Sequence, residues 1–114
     1  MIFDFNRLTD VTGGDAEFED VILREFLDGL PEAVDRLRAA IAAQDGKAVA
    51  DAGHALRGSA RTLGAEAIGF ACLELETAGS AGQLVDAPAM LQRVELEQER
   101  LVETLETFLR QRAA

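Results

Sequence analysis

The stretch "HALRGSARTLGA", residues 54–65, holds the only histidine of the chain, with Arg57 and Arg61 close behind it. An imidazole is the one side chain whose ordinary titration falls near neutral pH, and in its neutral form it is a competent nucleophile. If the segment is helical, each residue advances about 100° around the axis. Val49, Ala52, Leu56, Ala60 and Leu63 then share the face opposite His54, which makes that face the core side. Lys47, Arg57, Gly58 and Arg61 fall within about 60° of the histidine. The ring is thereby directed outward, among positive charges.

A solitary surface histidine is most often simply solvated, and Gly58 is what sets this one apart. A glycine in mid-helix costs about 1 kcal/mol relative to alanine, and no turn is needed at this point. On an exposed helix face it leaves a notch where another molecule can approach closely. Ser59 falls toward the core side of the wheel, which suits packing or a bond back to a helix carbonyl. Cys72 and His54 could form a thiol–imidazole pair, but no orienting residue or oxyanion-hole motif accompanies them, and Cys72 sits in an apolar stripe. Asp51 and His54 have the i, i+3 spacing of di-metal bundles, yet such sites need a second unit of this kind and more carboxylates. No metal site is expected, and no phosphate-binding loop, dinucleotide fingerprint or zinc spacing occurs.

The elements that must carry this face are helices. Phe5, Leu8 and Val11 predict a short amphipathic helix ended by Gly13-Gly14. Asp15 is placed to cap a second, long helix whose apolar stripe runs Phe18, Ile22, Phe26, Leu30, Val34, Leu37 and Ile41. Pro31 falls inside that stripe without putting it out of phase, which predicts one helix kinked near Leu27. A turn at Asp45-Gly46 leads to a third helix over about residues 47–63, closed by Gly64 in a left-handed conformation. A fourth helix is expected from Ala65 to Ala78, followed by one sizeable loop, "AGSAGQLVDAP". Asp86 and Pro88 mark the start of a last helix reaching Arg112. Short connections between long amphipathic helices predict an all-α fold in one domain over residues 1–114: an antiparallel, up-and-down four-helix bundle with a short extra N-terminal helix.

Composition narrows the function. A formal net charge of −10 repels phosphate backbones and anionic headgroups, so neither nucleic acid nor a membrane is an expected partner. The apolar runs are too short to span a bilayer, and "MIFDFNRLTD" lacks the pattern of a signal peptide. With one cysteine no internal disulfide forms. A cytoplasmic monomer is expected.

"HALRGSARTLGA" resembles the signature of histidine-containing phosphotransfer (HPt) domains, through His54, Leu56, Gly58, Ser59, Leu63, Gly64 and Ala65. Cys72 and the following "LELE" resemble the next helix of that family, and the likeness covers essentially the whole chain. The resemblance implies a phosphocarrier. His54 would accept a phosphoryl group from a receiver-domain aspartate and hand it to another response-regulator receiver, with a hybrid or chemotaxis-type histidine kinase upstream. It further implies that Glu76, 22 positions on, hydrogen-bonds the imidazole Nδ1 and leaves Nε2 free. Arg57 and Arg61 would attract the phosphoryl oxygens, and Gly58 would give the partner access. Mg²⁺ would come with the receiver, so no cofactor of the chain's own is implied. Arg57 departs from the family's usual lysine, and a planar guanidinium is not equivalent to a point charge. Two other roles fit the same resemblance: a helical adaptor that binds receivers without taking phosphate, and the phospho-accepting domain of a chemotaxis-type kinase. The initial Met and the complete last helix favour a free-standing protein, and retention of His54 favours the carrier.

Overall fold

The computed structural model describes residues 1–114 as five helices and no strand. They are α1 (Phe5–Thr12), α2 (Ala16–Ala42), α3 (Gly46–Leu63), α4 (Glu66–Ala81) and α5 (Ala87–Ala113). Each of the four long helices packs against two of the others: α2 on α3 and α5, and α4 on α3 and α5. α1 lies against α2 and α3. Leu23, Leu30, Leu37, Val49, Ile68, Leu75, Leu101 and Leu105 fill the common core.

The expected helix signals act as anticipated at several ends. Asp15 accepts from Phe18 N at 3.2 Å as expected, and Asp45, expected only as a turn residue, also caps its helix by accepting from Ala48 N at 3.0 Å; both satisfy free first-turn donors. Gly64 closes α3 at φ +107°, where a side chain is strained. α2 runs through Pro31 without interruption.

Three expectations are corrected. In the N-terminal half of α2 the core residue is Leu23, while Phe18 stays 49% exposed and Ile22 is half-buried. Val11 of α1 is likewise exposed. The reason is Glu19, which takes the inward position beside Thr12 and Arg112 and rotates Phe18 outward. The loop after α4 is also shorter than expected, because Gly79, Ser80 and Ala81 remain helical up to the left-handed Gly82. Gly79 is a packing residue there: a Cβ on it would stand 2.6 Å from Ala50 N and Gly46 O. Ser59 is exposed, and the bond back to a helix carbonyl is made by Thr62, whose hydroxyl donates to Gly58 O at 2.8 Å.

The start of α4 has no side-chain cap, since Ala65 occupies the N-cap. The segment preceding α1 supplies the missing acceptor: Ala67 N donates to Met1 O at 3.1 Å, and Asp4 N donates to Gly64 O at 2.8 Å. Phe3 is buried beside these bonds. The α3–α4 corner is therefore clamped from outside by the first residues of the chain.

Candidate functional site

α3 and α4 approach more closely than any other pair of helices. Glycines on both make this possible, because a Cβ on Gly53 would lie 3.1 Å from Cys72 O and from Glu76 N. Gly46 and Gly79 face each other similarly further along. This seam brings the backbone of Glu76 beside the residue that precedes His54, so the Glu76 carboxylate reaches the imidazole.

Both Glu76 oxygens sit within hydrogen-bond distance of His54 Nδ1, Oε1 at 3.1 Å and Oε2 at 3.2 Å. The His54 side chain is 70% exposed and that of Glu76 only 16%, so the carboxylate grips the inner edge of an outward ring. Nε2 makes no hydrogen bond within the chain. A carboxylate accepting at Nδ1 keeps the proton on that nitrogen and leaves the Nε2 lone pair facing solvent.

Arg57 is placed differently from the sequence expectation. Its guanidinium turns to Glu76, with Nη2 2.9 Å from Oε1 and Nε 3.3 Å from Oε2. The same Nη2 lies 3.3 Å from His54 Nδ1. The planar fork that distinguishes arginine from lysine is what allows one side chain to take both oxygens. Glu76 thus accepts from an arginine and an imidazole together. The Arg57 bonds first, and the His54 bond after them, hold its carboxyl below the ordinary 4.5 against the opposing effect of burial. It is ionised at neutral pH.

Gly58 is open, with nothing within 4 Å of where a Cβ would stand. Arg61 lies one turn further along α3 with its guanidinium in no ion pair, and its aliphatic stem rests where Gly69 of α4 leaves room. Lys47 is committed to Asp51 at 2.8 Å, which also removes Asp51 from any pairing with His54. Cys72 is fully buried, and burial pushes its thiol up to about 12, so it offers no thiolate to the ring. No three His, Cys, Asp or Glu side chains converge on a common point.

Three features of the surroundings escaped sequence reasoning. The glycine seam was missed because Gly53 and Gly79 look like breakers when read one helix at a time. Arg7 of α1 reaches the end of α3, where its Nε donates to Arg61 O at 3.4 Å. Between α2 and α3 runs a groove of about 620 Å³ lined by Phe26, Gly29, Ala33, Ala52, Ala55 and Ser59, next to the histidine face.

Comparison with known proteins bears on the family and the fold. No curated protein matches the chain. Among solved structures it is similar to histidine-containing phosphotransfer protein B (HptB) from Pseudomonas aeruginosa PAO1. That likeness has a TM-score of 0.90 and 27% identity, and covers 97% of this chain and 96% of that one. The family described as Hpt domain matches residues 21–112, from the first turns of α2 into the last turn of α5, with His54 and Glu76 inside. An exposed imidazole held by a carboxylate on the neighbouring helix, in a chain matched over most of its length, identifies a member of the Hpt domain family, whose role is histidine phosphotransfer in phosphorelays.

Proposed function

We propose that the chain is a cytoplasmic phosphorelay carrier, one domain over residues 1–114, in which His54 accepts a phosphoryl group from a receiver-domain aspartate and passes it to a second receiver. The observation that carries this reading is the Glu76 grip on Nδ1, which leaves Nε2 unengaged on a side chain 70% exposed. In the reaction the Nε2 lone pair forms the bond to phosphorus as the phosphorus–oxygen bond of the aspartyl phosphate breaks. The aspartate leaves as a carboxylate. Positive charge develops on the ring, and the ionised Glu76 lies 3.1 Å from the nitrogen that shares it. Delivery to the second receiver runs the same exchange in reverse.

Arg57 acts on this reading through Glu76, and the guanidinium of Arg61, which is in no ion pair, meets phosphoryl oxygens or the partner. Gly58 gives the partner's aspartate a clear approach. Mg²⁺ is contributed by the receiver, and upstream stands a hybrid or chemotaxis-type kinase. The antiparallel up-and-down arrangement of α2–α5, with a bend at Pro31, and a monomeric state belong to the same reading.

A His54→Gln variant tests the assignment. It should fold normally and take up no phosphate from a panel of phosphorylated receiver domains that label the wild type. Acid-labile phosphate on the variant would show that the acceptor lies elsewhere.

A further inference from the structure

On the α4 flank of α3, away from the larger groove, Arg7, Arg57, Arg61, Glu66, Phe70 and Leu73 line a recess of about 210 Å³. Phe70 is 70% exposed and Leu73 is 39% exposed on the outward side of α4. Neither contributes to the core, and paired apolar side chains held in water mark a contact surface more often than a lone one does.

The charges around them are equally unusual. Of the eleven basic side chains, eight are in ion pairs with acids of the chain. Arg7, Arg24 and Arg61 are not, and two of those three flank Phe70. Glu66 is the one acid lining the recess, and it pairs with neither free arginine. In a chain of net charge −10, this is a local reversal of sign. The stem of Arg61 is held over Gly69, and Arg7 is tethered to the Arg61 carbonyl, so both guanidinium groups are pre-placed. Arg57 lines the recess and also grips the Glu76 that holds His54, so the recess is continuous with the transfer site.

We infer that this recess is a docking surface for a receiver domain, in which Arg7 and Arg61 meet the receiver's acidic rim and Phe70 with Leu73 take an apolar side chain from it. The inference rests on the relay reading for the nature of the partner. A site that holds Mg²⁺ through carboxylates presents a negative face, and the recess is complementary to it in sign. Arg7 lies outside residues 21–112, so α1 adds to the contact something the matched family span does not contain.

The test compares the wild type with Phe70→Ala, Arg7→Glu and Arg24→Glu, each checked by thermal melting. A panel of receiver domains phosphorylated by acetyl phosphate serves as donor in single-turnover transfer, at low and at physiological salt. The same receivers are titrated into the ¹⁵N-labelled chain. Phe70→Ala and Arg7→Glu should slow transfer roughly tenfold at low salt. The Arg7→Glu defect should shrink as salt rises, and that of Phe70→Ala should not. Arg24→Glu carries the same charge change away from the recess and should transfer as the wild type does. Wild-type rates in both recess variants, with amide shifts confined to the α2–α3 side, would overturn the surface while leaving the relay intact. A receiver that shifts Phe70 and Arg61 without labelling His54 would support the surface and sink the relay reading. A panel that neither transfers nor shifts them would overturn both.

Discussion

His54, Glu76 and Arg57 form a three-membered cluster in which one carboxylate satisfies two cationic or proton-bearing neighbours. The histidine–glutamate bond fixes which nitrogen is protonated, and the arginine fixes where the glutamate stands. Two predictions follow at this scale. Glu76→Ala removes the acceptor at Nδ1, so long-range ¹H–¹⁵N correlation should show the neutral ring moving toward the Nε2–H tautomer. Transfer should slow by on the order of tenfold to a hundredfold. An unchanged tautomer would remove Glu76 from the site. The second concerns acid. Because the folded chain holds the Glu76 carboxyl below 4.5, protonating it opposes folding. Its contribution to stability is complete above that value and is lost as pH falls through the lower folded value. A Glu76→Gln chain should lack this part of the acid slope in denaturant melts across pH 5 to about 2.

Between elements, the decisive contact is the close crossing of α3 on α4. Gly58 and Gly64, only six positions apart, serve different needs: one faces open solvent and the other closes α3 against the N-terminal segment. Gly64→Ala would place a Cβ 2.5 Å from Asp4 O at a φ of +107°, so thermal melts should show a loss of at least about 2 kcal/mol. Gly58→Ala meets nothing and should stabilise the free chain by up to about 1 kcal/mol. Gly58→Gln should melt no lower than the wild type and yet transfer far more slowly, since its side chain stands in the partner's approach. The helix count, the cap at Asp15 and the left-handed Gly64 were legible in the sequence because each is a local signal. The outward face of His54 was legible for the same reason, as a matter of angular spacing along one helix. Residues whose role depends on a second helix were not. Gly53 and Gly79 carry no mark of the backbone they face, and Phe18 keeps an apolar spacing although Glu19 takes its place in the packing. Arg57 fits an outward wheel position equally well whether it reaches for a phosphoryl group or folds back on Glu76.

The whole molecule is a rod of 45 × 21 × 21 Å, long enough that its far end needs its own fastening. Arg112 in the last turns of α5 provides one, bonding Glu19 at 2.8 Å and Asp20 at 3.1 Å and lying 4.4 Å from the centre of the Phe108 ring. Thr12 of α1 completes the group at 2.9 Å from Glu19. Glu19 is only 5% exposed, so Arg112→Ala would leave a buried carboxylate with a hydroxyl partner alone. We expect a loss of about 1–3 kcal/mol in chemical denaturation. Transfer at His54 should be unaffected below the melting range. A matching loss of transfer would show that the two ends of the rod are coupled.

The chain contains neither tryptophan nor tyrosine, so the fluorescence by which unfolding is usually followed is nearly silent. Its single thiol takes that place. Cys72 lies wholly inside, directly behind the α3–α4 crossing, with its proton held until about pH 12. A disulfide reagent therefore reacts only with molecules in which the crossing has parted, and the labelling rate becomes a clock for that opening. Measured with and without a receiver bound, the clock reports whether docking tightens the helix pair that carries the histidine, with no residue added to the protein.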